Sequence, residues 1–194
     1  MLRAAGRSTT RLVPRGALGA TLALAAALAV GVVLSGCETD PEKDLSVEEG
    51  QQMRLGDLLY NVQISRFLNP RDPEDEAYLA GQPQPPNDKL YLGVFMVIEN
   101  EADTTQEVPA DFTVIDTQGT EFEPIPSDSL FALELGGRVA PNDQLPDLES
   151  TAANGPIQGA MVLFLIDEAA IEDRPLTLDI PSSAGPAGEV ELDV

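Results

Sequence analysis

The sequence predicts an all-β protein, an antiparallel β-sandwich of about seven strands that follows an apolar N-terminal segment. Three observations predict it. From residue 53 onward, apolar residues recur with a period of two or in short continuous runs of strand length. Turn residues punctuate these runs, with 16 Gly and 16 Pro in a chain of 194 residues. After the first 36 residues no stretch has a helical period long enough for more than two turns.

The elements follow in order. Leu58, Tyr60, Val62 and Ile64 alternate with Leu59, Asn61, Gln63 and Ser65, which predicts a half-buried strand with one apolar face. Residues 69–88 hold five prolines and a cluster of acids, Asp72, Glu74, Asp75 and Glu76, and read as a long loop. Leu90 to Ile98 is apolar on both faces, as a central strand would be, and Gly93 within it predicts a bulge or a close backbone approach. Phe112–Asp116 and Thr120–Ile125 flank Thr117-Gln118-Gly119, which predicts a hairpin. Ser127-Asp128-Ser129 before Leu130–Leu133 reads as a cap with one or two helical turns. Ile157 to Ile166 is a second two-faced strand, and Asp167 to Asp173 reads as a polar crossover. Leu176–Ile180 and Val190–Val194 alternate again and complete the set.

The charge is unevenly spread. The chain carries 33 Asp+Glu against 11 Lys+Arg, a net of −22, and has no His, no Trp and one Cys. Arg3, Arg7, Arg11 and Arg15 all precede residue 37, where there is no acid; beyond it, 7 basic residues face 33 acids, a net of −26. Such acidity excludes nucleic acid as a partner, because phosphate binding needs a basic face. Without His there is no histidine general base, no His-ligated metal and no Cys–His nucleophile. A lone Cys excludes an intramolecular disulfide.

Residues 1–36 read as an export signal: arginines first, then an uncharged Ala/Leu/Val-rich run from Gly16 to Gly36. The run ends in Leu34-Ser35-Gly36-Cys37, which resembles the lipobox of bacterial lipoproteins. The resemblance implies that Cys37 is acylated and becomes the mature N-terminus, with membrane lipid as its partner. The alternative is a retained transmembrane helix, since the run is nearly long enough to span. Both readings place residues 38–194 outside the cytoplasm, lipid-anchored at the outer face of the membrane in the first. Residues 37–52 read as an acidic tether that extends by self-repulsion, holding a domain at 53–194 some ~40 Å above the lipid.

The strand order also resembles the immunoglobulin-like domain of unknown function found in many bacterial lipoproteins, the group related to telokin-like, immunoprotective extracellular proteins. The matching segments are Leu92–Asn100, Phe112–Gly119 with Asp116, and Gly159–Phe164 after Gly155-Pro156, within Met53–Ile180. The resemblance implies an immunoglobulin-like sandwich at the cell surface. It implies no catalytic residue, and no cofactor or metal ligand is assigned from the sequence.

Candidate sites are few. Tyr78 and Leu79 lie among prolines and acids in the long loop and are the candidate partner contacts. The acid clusters could hold a weak divalent cation such as calcium, although none has the spacing of an EF-hand. Ser127 and Ser129 beside Asp128 lack a base. The expected function is therefore a non-catalytic binding or protein-interaction module at the envelope, with an envelope protein as partner. A low-affinity calcium or small-ligand binder is the alternative, and a carboxylate-dependent hydrolase a distant third.

Overall fold

The computed structural model describes residues 45–194, which belong to one compact unit. The expected export signal, Cys37 and residues 38–44 of the expected tether lie outside the described residues. In chain order the strands are β1 (Ser46–Glu48), β2 (Gln52–Leu55), β3 (Leu58–Leu68), β4 (Lys89–Asn100), β5 (Gln106–Glu107) and β6 (Thr113–Ile115). There follow β7 (Glu121–Phe122), β8 (Arg138–Val139), β9 (Asp143–Leu145), β10 (Ala160–Asp167), β11 (Leu176–Ile180) and β12 (Gly188–Leu192). A one-turn helix, α1 (Thr151–Asn154), and a 3₁₀ turn at Glu168–Ile171 flank β10. All seven expected strands are present as β3, β4, β6, β7, β10, β11 and β12; the others are short pairings.

The strands form a sandwich of two main sheets. One has the order β1-β12-β11-β6-β7, the other β10-β4-β3-β2, with β9 on β4 beyond the end of β10. All pairs are antiparallel except β1 with β12. Both long edges are closed by chain passing from one sheet to the other. On one side β1 leads into β2 through Gly50, at φ 86°, whose amide donates to the Val62 carbonyl at 2.7 Å. On the other side the chain beyond β7 runs along β10, where the Ile125 amide meets the Leu163 carbonyl and the Leu133 amide meets that of Met161, each at 2.8 Å. Closure leaves few unpaired edge groups to recruit another chain.

β4 explains why two hydrophobic cores form. Its alternate residues Leu92, Val94, Met96 and Ile98 enter the main core between the sheets, with Tyr60, Phe112, Phe164 and Leu178. Tyr91 and Phe95 point the other way, into a second core with Leu68, Tyr78, Phe131, Met161 and Leu163. Gly93 lies on this second face as a close approach, without a bulge. A Cβ there would stand 3.0 Å from Leu68 Cδ1 and 3.1 Å from Phe95 Cε2.

Three sequence expectations change. The bulge lies in β3, between Val62 and Ile64, and it reverses the alternation. Ser65 and Phe67 then take the inward positions, and Ile64 is left 39% exposed. Residues 127–133 form no helix. The Leu133 amide bonds instead to the Met161 carbonyl on the edge of β10, and the Phe131 carbonyl accepts the Met161 amide, tertiary partners stronger than a weak local preference. The folded domain also begins earlier than residue 53. Val47 is buried in the main core and β1 pairs with β12, so residues 45–52 belong to the domain.

Candidate functional site

Three segments distant in sequence converge at one end of the sandwich. They are the β2–β3 turn at 55–58, the chain from 105 to 111, and the β11–β12 loop at 181–184. Between them lies a cleft of about 920 Å³. Its floor is apolar: Leu55 and Leu58 are 6% exposed and Val108 1%. Its rim carries three exposed carboxylates, Asp57, Glu107 and Asp111, and among the described residues no Lys or Arg lines it.

Local chemistry builds each wall. The turn at Gly56 requires φ 63°, a left-handed conformation that glycine adopts without strain. A Cβ on Gly56 would stand 2.9 Å from Ala184 Cβ, so the turn and the opposite loop touch there. Gln106 Nε2 donates to Asp57 Oδ2 at 3.1 Å and Thr104 Oγ1 at 3.0 Å, tying the 105–111 wall to the turn. Behind that wall stands Asn100, buried to 1%. Its Nδ2 faces the carbonyls of Thr104, Val139 and Ala140 at 2.8–3.1 Å, and its Oδ1 accepts the Ala102 amide at 3.0 Å. Arg138 is the cation nearest in register, standing opposite Glu107 across the β5–β8 pair.

The acidity continues from the rim onto the solvent face of the first sheet. Glu48, Glu189, Glu191, Asp179 and Glu121 lie on its strands, with Glu48 opposite Glu191 and Asp179 opposite Glu189. Burial raises the Asp179 carboxyl above its ordinary value, and Glu189, Glu121 and Asp111 add to the shift by repulsion. Among the described residues no group of three or more acids is placed to hold a metal ion. The cations are largely engaged: Arg54 with Glu101, Arg66 with Asp75, Lys89 with Asp167, and Arg174 with the carbonyls of Ile171 and Val194. The surface field is therefore set by the acids.

The residues singled out from the sequence lie elsewhere. Cys37 is outside the described residues. Tyr78 and Leu79, expected as partner contacts, are buried at 3% and 6% and form part of the second core. Tyr78 packs edge-on to Phe95 at 5.2 Å and against Phe131 at 4.5 Å. The loop is drawn inward by Asp75, which is 1% exposed, pairs with Arg66, and accepts the Asn69 amide at 2.8 Å. Asp72 accepts the Glu74 amide at 3.0 Å, so this acid cluster builds turns. Ser129 Oγ donates to the Ala77 carbonyl at 2.8 Å and accepts the Phe131 amide, which is a structural role.

Sequence reasoning missed the cleft because its walls come from three ordinary turn segments. The available signals were weak: Gly56-Asp57 between two strand runs, and Pro-Ala-Asp at 109–111.

No protein-family model matches the sequence, and no curated protein matches it. Solved structures do resemble the fold. The chain is similar to the yjhA protein from Bacillus subtilis, with TM-score 0.47 and 13% identity over 75% of this chain and 98% of that one. It is similar to an uncharacterized β-sandwich protein from Clostridium difficile 630, with TM-score 0.48 and 12% identity over 80% and 99% of the two chains. It also resembles a Bacillus subtilis protein, ycdA, proposed to be a lipoprotein, with TM-score 0.45 and 15% identity over 76% and 38%.

Proposed function

We propose that the protein is a non-catalytic binding module of the cell envelope, anchored through an acylated Cys37, and that the acid-rimmed cleft takes a cationic segment of an envelope protein. The observation that carries the reading is the cleft itself, with an apolar floor, a carboxylate rim and, among the described residues, no basic residue in its lining. Apolar floors supply binding energy, and charged rims supply steering and selection of partner sign. The lipobox-like sequence and the resemblance to immunoglobulin-like lipoprotein domains support the location. The engagement of Ser129 with backbone groups supports a role without chemistry.

A titration with trilysine, followed by backbone amide NMR shifts, tests the cleft. Residues 55–58, 105–111 and 181–184 should move first, and Asp57→Asn with Asp111→Asn should weaken binding several-fold. Shifts spread evenly over Glu48, Glu121 and Glu191 would show general charge attraction and remove the reading. The anchor has its own test. Cys37→Ser should leave the precursor unprocessed or release the chain from the membrane, and unchanged processing with retention would refute lipidation.

A further inference from the structure

The chain enters the domain at the end that carries the cleft. The Leu45 carbonyl accepts the Glu189 amide at 2.7 Å, and Ser46 stands opposite Glu189 in the β1–β12 pair. The β11–β12 loop, whose residues 181–184 form one wall of the cleft, ends directly at this pairing. The opposite end of the sandwich holds the 116–120 turn, Lys89 paired with Asp167, and the C-terminal residues, where Arg174 reaches the Val194 carbonyl.

Two lengths decide the consequence. From Cys37 to Leu45 the chain has eight residues to extend, a reach of at most about 29 Å at ~3.6 Å each. β4 runs from Lys89 at the far end to Asn100 at the cleft end. At ~3.4 Å per residue it is about 37 Å long, before the terminal loops are added. The attachment is thus shorter than the domain. An inverted domain would have to push its far end into the bilayer.

We infer that, in the anchored protein, the cleft faces the membrane, and that its occupant is a basic segment displayed at the outer membrane surface by a membrane-embedded protein. This rests on the lipid-anchor reading above. The acid rim and acid sheet face repel anionic headgroups, so the domain stands off the lipid and leaves room for such a segment. A partner that carried its basic segment far above the membrane would meet the wrong end of the sandwich.

The experiment uses the full lipidated chain in vesicles of phosphatidylcholine with phosphatidylglycerol. With Cys37 occupied by lipid, Ser183→Cys and Gln118→Cys each supply a single thiol for a fluorophore at opposite, exposed ends. Energy transfer to an acceptor on the lipid headgroups should be several-fold greater from position 183 than from 118. Equal transfer, or more from 118, overturns the orientation while leaving the anchor reading intact. A chain that does not bind the vesicles removes both. In the same vesicles, a transmembrane peptide with a lysine-rich outer flank should photo-cross-link to position 183. Cross-linking should fall several-fold in the Asp57→Asn, Asp111→Asn chain and when a Gly/Ser spacer of about twenty residues follows Asp44. Cross-linking indifferent to both changes overturns the assignment of the occupant.

Discussion

Asp179 on β11 stands directly opposite Glu189 on β12, two acids facing one another across an antiparallel pair. One Asp179 oxygen, Oδ1, is buried without a hydrogen-bond partner among the described residues. Burial is the largest cause of the raised Asp179 carboxyl, and repulsion from Glu189, Glu121 and Asp111 adds to it. A carboxyl raised on folding binds its proton more tightly in the native state. Its stabilising contribution is therefore complete below 3.8, its ordinary value, and is lost as pH rises through the raised value. Asp179→Asn should raise thermal stability at neutral pH by about 0.2–1 kcal/mol, the scale of cross-strand pair effects. Denaturation at several pH values checks this: the gain should shrink toward zero in acid.

Asp116 carries the opposite sign. Burial alone would raise it, but hydrogen bonds from the Thr120 amide and side chain and from the Gln118 and Gly119 amides outweigh burial and hold it below its ordinary value. The geometry agrees, with Oδ1 accepting the Gln118 amide at 2.9 Å and the Thr120 amide at 2.8 Å. A lowered carboxyl contributes stability above its unfolded value, lost as pH falls through the folded one. Asp116→Asn should cost about 1 kcal/mol at neutral pH. The difference should narrow in strong acid, where Asp116 is itself protonated. Urea unfolding of the two proteins at matched pH measures it.

Tyr78 separates its ring from its hydroxyl. The ring packs on Phe95 and Phe131, while the hydroxyl oxygen is buried without a partner among the described residues. Tyr78→Phe should be neutral or stabilising, because it removes an unsatisfied polar group. Tyr78→Ala should cost about 3–5 kcal/mol, as deletion of a core aromatic does. If both variants were equally mild, Tyr78 would behave as a surface side chain and its place in the core would be refuted.

The two-faced strands were legible in the sequence because their signal is local. Leu92 and Val94 against Tyr91 and Phe95 already declare two burial directions, and the structure uses both. Ile64 was misplaced because a bulge adds a residue that no periodicity can announce. Ser127–Leu133 was misread because the edge of β10 offers carbonyls and amides that a local helix preference cannot foresee. Val47 was hidden inside an acidic segment, where composition spoke for a tether. Tyr78 and Leu79 were drawn inward by Asp75 and Arg66, a pairing across nine positions without a local pattern. The cleft was invisible for the same reason at a larger scale, since closure of 55–58 against 105–111 and 181–184 is purely tertiary.

Asn100 offers the test that joins stability to the cleft. Its Nδ2 is directed at three carbonyl oxygens, so the position demands a donor. Asn100→Ala leaves those carbonyls and the Ala102 amide short of a partner and should cost about 1–3 kcal/mol. Asn100→Asp has the same shape but turns an oxygen, charged at neutral pH, toward three acceptors in a buried site. It should therefore destabilise more than alanine at neutral pH and recover partly as acid protonates the carboxyl. Because Asn100 supports the chain that continues into the 105–111 wall, both variants should also speed amide hydrogen exchange at 105–111 before they affect β3 or β4. Mass spectrometry of exchange reads both regions in one experiment. Exchange that accelerated uniformly across the domain would show that Asn100 supports the sandwich as a whole and has no special hold on the cleft.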